Sequence, residues 1–208
     1  GAEFPRWQGQ CSECKAWNTI SEFVVSPAKS TAKGNFAGYA GQTHSQIQTL
    51  NEINVEDLPR FSSGLKELDR VLGGGIVPGS AILIGGSPGA GKSTLLLQVM
   101  CQQATTKSAL YVTGEESLQQ VAMRARRLGL PDDKLMMLAE TNVEMICDLA
   151  LKQKPQIMVI DSIQVMHVSD VQSAPGSVSQ VRESAAYLTR FAKQHHIAMF
   201  IVGHVTKD

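Results

Sequence analysis

Gly86-Ser-Pro-Gly-Ala-Gly-Lys-Ser-Thr94 satisfies G-x-x-x-x-G-K-[ST] at every fixed position, and its flanks decide the fold. An apolar run, Ala81–Ile84, leads into it, and Leu95, Leu96, Leu97, Val99 and Met100 follow it in a helical pattern. Strand, glycine-rich turn and helix in that order make the phosphate-cradling unit of a parallel α/β sheet. Gly86, Gly89 and Gly91 let backbone N–H groups converge where a Cβ would block the approach, and Ser87, Pro88 and Ala90 complete the loop. The helix N-terminus adds partial positive charge. Lys92 is placed to reach β- and γ-phosphates and the Ser93 hydroxyl to bind Mg²⁺, with Thr94 closing the segment. The expected ligand is a nucleoside triphosphate with magnesium.

Outward from the loop, Ala109–Thr113, Ile157–Ile160 and Ile197–Val202 are short, nearly unbroken apolar runs, as strands buried on both faces require. Leu135–Leu138 reads as a fifth, at an edge. Helices fall between them. Ser62 or Ser63 is placed to cap one from Gly64 to Leu72, and Ser117 with Gln120 and Ser177 with Gln180 fit the capping box. The fold class is therefore α/β, a mainly parallel sheet flanked by helices, over residues 59–208. Residues 26–58, rich in Ser, Thr, Ala, Gly, Asn and Gln, read as a flexible linker. Residues 1–25 hold both Trp residues and Cys11-Ser-Glu-Cys14, a segment too short to fold except around a metal or against another surface.

Bulk composition sets outer limits. The chain has 208 residues, room for one substantial core and a small appendage. Nineteen basic residues balance nineteen acidic ones, so net charge gives no support to a nucleic-acid partner and excludes none. No apolar run is long enough to span a membrane and no signal-peptide pattern opens the chain. Four cysteines, one close pair plus Cys101 and Cys147, are not a disulfide framework, and the simpler expectation is a cytoplasmic protein. Cys101 and Cys147 fall on helices, as small buried hydrophobes.

Two acidic positions complete the chemistry. Asp161 ends the strand Ile157–Ile160 on the carboxyl side that faces the ligand crevice, placed to hold magnesium through a water. Glu115 and Glu116 follow the strand Ala109–Thr113. A carboxylate there can take a proton from the water attacking the γ-phosphate, and we assign this to Glu115, leaving Glu116 to the cap region of the next helix. Arg124 and Arg127 read as a solvated helix face, with contact to the nucleotide base or a neighbouring subunit as the alternative; His195 and His196 read as a solvated helix end, and His44 and His167 belong to no constellation. Val165–Ser179, with no Lys or Arg, reads as a loop without regular structure.

Phe61-Ser-Ser-Gly-Leu-Lys-Glu-Leu-Asp-Arg-Val-Leu-Gly-Gly-Gly-Ile-Val-Pro-Gly-Ser80, the phosphate loop, Thr113-Gly-Glu-Glu-Ser117 and Gly203-His-Val-Thr-Lys-Asp208 together resemble the bacterial RadA (Sms) family of DNA-repair proteins. Arg6–Cys11 and Lys15–Thr19 are similar to the end of that family's zinc finger. The resemblance implies a RecA-like ATPase with ATP and Mg²⁺ as cofactors. It further implies a DNA-dependent, helicase-type motor that processes branched recombination intermediates by branch migration on single-stranded DNA. Its implied partners are a RecA-type recombinase and further copies of itself in a ring, a hexamer, with no membrane involved. It makes Cys11 and Cys14 half of a four-cysteine zinc site whose first pair this sequence lacks, so a filled zinc site is not expected here. The RecA-like strand order also sets the tip of Ile197–Val202 beside the γ-phosphate, making His204 a candidate sensor of nucleotide state. The family's Lys-Asn-Arg-Phe-Gly motif and its Lon-like C-terminal domain are not in the sequence either, which implies an N-terminal fragment that binds nucleotide and turns it over weakly. Two alternatives stay open: a KaiC-like nucleotide-dependent assembly protein, and an ATP-binding module without turnover.

Overall fold

The computed structural model describes Lys15, Trp17, Ile47, residues 49–52 and residues 59–205. The chain divides into two compact units, residues 1–36 and 37–208. In the first, only Lys15 and the exposed Trp17 are described, so the expectations for Cys11 and Cys14 lie outside the described residues. Within 26–58 the described part includes one short 3-10 turn, Leu50–Glu52.

The second unit is built on a five-stranded sheet. Its strands are β1 (Ala81–Gly86), β2 (Ala109–Thr113), β3 (Met136–Ala139), β4 (Ile157–Asp161) and β5 (Ala198–His204), and they lie in the order β1-β5-β4-β2-β3. Every pairing is parallel. The strand that carries the phosphate loop therefore neighbours β5, whose tip lies beside the loop as the RecA-like resemblance implies, and β5 separates it from the strand ending in Asp161. The connecting helices are α1 (Lys66–Val71), α2 (Lys92–Ala104), α3 (Leu118–Arg127), α4 (Val143–Gln153) and α5 (Val178–Gln194).

Alternation along the strands sorts the core into two layers. Leu110, Val112, Met158, Ile160, Met199 and Ile201 face α4 and α5, packing on Ile146, Leu188 and Phe191. Ala109, Tyr111, Ile157, Val159, Phe200 and Val202 face the other way, onto Leu96, Leu97 and Met100 of α2 and Val121 of α3. Both layers bury β-branched and long aliphatic side chains completely, which is the main stabilising term for an aromatic-poor chain. Cys101 and Cys147 are among the buried side chains. Among the described residues β1 is an edge strand, and Leu83 on it is 69% exposed.

Three local expectations need correction. The first helix starts at Lys66, not Gly64, and neither serine caps it: Ser62 Oγ donates to Asp69 Oδ2 at 2.5 Å, while Ser63 Oγ is spent on Leu65, donating to its carbonyl and accepting from its N–H, each at 3.2 Å. The Ser177 box is only half made. Ser177 Oγ accepts from Gln180 N at 3.3 Å, but the Gln180 side chain turns to the preceding segment instead. That segment is consequently more ordered than a plain loop. It opens with a 3-10 turn, Ile163–Val165, and bridges His167 to Asn142. Buried Gln180 then accepts from Val168 N at 2.9 Å and donates to the carbonyls of Val168, Val171 and Ser173 at 3.3, 2.9 and 3.0 Å.

Candidate functional site

The carboxyl ends of β1, β5, β4 and β2 lie side by side, and the residues singled out from the sequence gather there. The loop leaves β1 at Gly86 and enters α2 at Lys92. Gly89 and Gly91 have φ of +78° and +85°, and a Cβ built on either meets nothing within 4 Å. The backbone is thus held in a conformation glycine adopts freely, around open space. Lys92 is only 8% exposed, and its Nζ donates to the Gly86 carbonyl at 2.8 Å and the Ser87 carbonyl at 2.9 Å. The ammonium is folded back onto its own loop, where an anion entering the cradle can replace those two carbonyls. Ser93 and Thr94 follow in the first turn of α2, beneath the loop. This donor set fits a magnesium triphosphate: an open glycine cradle, a preplaced ammonium and a hydroxyl at a helix start.

Asp161 is 7% exposed at the end of β4. Tyr111, fully buried on β2, donates its hydroxyl to Asp161 Oδ2 at 2.5 Å. Burial and the neighbouring Asp161 carboxylate push the Tyr111 phenol well above its usual range, so it stays a donor. The Asp161–Ser162 peptide bond is cis. Ser162 in turn donates to Glu115 Oε1. His204, at the end of β5, brings Nε2 to within 3.2 Å of the same oxygen. Glu115, at the tip of β2, is thus gripped from β4 and β5 while remaining 38% exposed on its side chain. Gln164 closes the corner by donating to the His204 carbonyl at 3.2 Å.

Glu116 is occupied elsewhere. It forms an ion pair with Arg124 of α3, and this half-buried partnership, led by the hydrogen bond, raises the Arg124 pKa further. Arg124 is therefore not part of a solvated face: its guanidinium is paired with Glu116, and the charges of Glu116 and Asp161 favour its protonated form. Arg127 is exposed near the end of α3. Between Thr113 and Glu115 there is no room for a side chain. A Cβ on Gly114 would stand 2.5 Å from Val165 Cγ2 and 3.0 Å from Thr141 Cγ2. The Gly114 N–H instead donates to the Asp161 carbonyl at 2.8 Å, continuing the β2–β4 ladder past its formal end.

Of the residues proposed from sequence, the structure brings the loop 86–94, Asp161, Glu115 and His204 to one end of one sheet. Tyr111 and Ser162 were missed. Tyr111 sits inside an apolar run and looks like core, and the one clue was a phenol that needs a partner in a buried strand. Ser162 carries no signal beyond following Asp161. Among the described residues no cluster of His, Cys, Asp and Glu has the makings of a protein-only metal site, and no helix is long and apolar enough to cross a membrane.

Comparison with known proteins agrees with an ATPase fold. The KaiC ATPase family matches residues 61–144, and the rubredoxin metal-binding domain family matches residues 1–22. Over its whole length the chain is similar to proteins named DNA repair protein RadA: 70% identical in Haemophilus influenzae, 64% in Escherichia coli and 46% in Bacillus subtilis. In each case all of this chain is matched, against 45%, 46% and 45% of the relative, so it spans just under half their length.

Proposed function

We infer that this chain, alike along its full length to RadA DNA-repair proteins, forms the ATP-binding and ATP-hydrolysing part of a DNA-dependent motor of recombination. The observation that supports the reading is the convergence of the glycine cradle, Asp161 and Glu115 at the carboxyl end of one sheet. In this reading Lys92 exchanges the Gly86 and Ser87 carbonyls for β- and γ-phosphate oxygens, a stronger charge-assisted pairing. Ser93, and Asp161 through a water, would hold magnesium, which when bound would neutralise the charge that develops on the phosphates. Ser162 and His204 fix Glu115 through Oε1, leaving Oε2 to accept the proton of the attacking water. His204, bridging the tip of β5 and the proton acceptor, is the residue we assign to sensing the γ-phosphate.

The wider role follows from the same likeness. The motor binds single-stranded DNA, drives branch migration of recombination intermediates beside a RecA-type recombinase, and works as a ring of subunits. Residues 165–179 hold no Lys or Arg, so contact with DNA there runs through backbone N–H and small polar groups. Cys11 and Cys14 lie within the stretch matched to a metal-binding domain, and we assign them as half of a zinc thiolate site. A KaiC-type assembly ATPase is the second reading, favoured by the match at residues 61–144. Nucleotide binding is tested first: Lys92→Ala should lose about 100-fold or more in triphosphate affinity by equilibrium titration. Equal affinity in variant and parent refutes the site. Stimulation of ATP turnover by single-stranded DNA then separates the motor from the assembly protein.

A further inference from the structure

Among the described residues Tyr111 is the largest fully buried side chain, enclosed by the apolar layer between the sheet and α2. A phenylalanine would fill that volume without taking a hydroxyl out of water, a transfer that costs free energy unless the hydroxyl finds a partner. Its partner is set by register. Tyr111 pairs with Val159, and Asp161 lies two residues further along β4 on the same face. The diagonal between such positions is about 7–8 Å, within reach of a long aromatic side chain. A shorter side chain at 111 leaves Asp161 untouched, and the hydroxyl reaches Oδ2 at 2.5 Å.

We propose that Tyr111 is a positioning residue for the magnesium site: its hydroxyl holds Asp161 through Oδ2, so that Oδ1 is presented to the metal's water. This rests on the reading of Asp161 given above. A partner of this kind orients a carboxylate that would otherwise sample several rotamers; removing the partners of direct metal ligands typically weakens metal binding about 10–100-fold, and one shell further out we expect the lower end of that range. The Tyr111 hydroxyl bonds to Asp161, not to the phosphate loop. Lys92 and the glycine cradle approach the phosphates from β1 and α2 and make their contacts without it. The role therefore separates cleanly into a metal-dependent and a metal-independent part.

The test uses the whole chain and a fluorescent ATP analogue, titrated once in excess EDTA and once in magnesium. The ratio of the two dissociation constants measures how strongly metal and nucleotide assist each other. In Tyr111→Phe the EDTA constant should stay within about 2-fold, while the magnesium-dependent gain should shrink about 10-fold. In an Asp161→Asn background the same Tyr111→Phe change should make no further difference, because the group it positions has lost its charge. An unchanged gain in Tyr111→Phe, or equal effects of the change in both backgrounds, overturns the proposal. If the parent chain itself shows no magnesium-dependent gain, the reading of Asp161 falls instead. Should Tyr111→Phe not fold, site-specific 3-fluorotyrosine keeps the shape and alters the hydroxyl's donor strength. A shifted magnesium gain then supports the role, and an unshifted one overturns it.

Discussion

Gln180 offers the sharpest test of how this fold holds its long connection. One side-chain amide serves four backbone groups of residues 168–173, at 2.9 to 3.3 Å, from a position 2% exposed. Replacing it by alanine removes all four bonds at once. Each is worth about 0.5–1.5 kcal/mol net, and a buried N–H left without a partner, as at Val168, costs about 1–3 kcal/mol. The freed carbonyls of Val171 and Ser173 lie near exposed residues and can turn to water, so we expect Gln180→Ala to lose roughly 2–4 kcal/mol. Urea unfolding measures this, and limited proteolysis should show new cleavage between residues 166 and 179. Gln180→Glu is the control. It keeps the acceptor for Val168 N but sets an oxygen against three carbonyls. Burial and those carbonyls would raise the new carboxyl's folded pKa above its unfolded value of about 4.3. Stability should therefore be restored as pH falls through the folded value and lost again as pH rises. A loss below about 1 kcal/mol in Gln180→Ala, with no new cleavage, would show that water replaces the amide freely.

The two adjacent glutamates should separate in one experiment. We expect Glu115→Gln to keep nucleotide affinity within a few-fold while hydrolysis falls about 10²–10⁴-fold. Glu116→Gln should instead weaken folding by breaking the Arg124 pair, and a larger rate loss there than in Glu115→Gln would reverse the assignment. Ser117→Ala removes a complete capping box and should cost about 1 kcal/mol by urea unfolding, against none if α3 is held by packing alone. Burial pushes the Cys101 thiol up from 9.0 to about 11. The unfolded thiol therefore ionises first, and stability should drop between pH 9 and 11, less so in Cys101→Ala; identical alkaline profiles in variant and parent would count against it.

The parts of this site that could be read from sequence are those whose information is local. The glycine loop is fixed by eight consecutive residues, and the strands announce themselves as apolar runs because both sheet faces are buried. Asp161 was recoverable because position at a strand's carboxyl end is itself the signal. What escaped depends on pairing between distant segments. Tyr111 meets Asp161 only through the β2–β4 register, fifty residues apart in sequence. Gln180 looked like a capping residue because Ser177 stands three places before it, and only the folded chain shows the amide spent on Val168, Val171 and Ser173. Ser62 and Ser63 fail as caps because their hydroxyls have other partners, Asp69 for Ser62 and the Leu65 backbone for Ser63. Arg124 looked solvated because helical spacing identifies a face without saying what faces it.

The crowding at Gly114 has a mechanical meaning. With a notional Cβ only 2.5 Å from Val165 Cγ2 and 3.1 Å from Met166 Cε, the backbone before Glu115 and the turn after Asp161 mesh like two teeth without clearance. Neither can slide towards the other, and the Gly114 bond to the Asp161 carbonyl resists their parting. The proton acceptor and the start of the connection to α5 are therefore geared together. A displacement of residues 163–166 towards β2 would therefore press on the backbone just before Glu115.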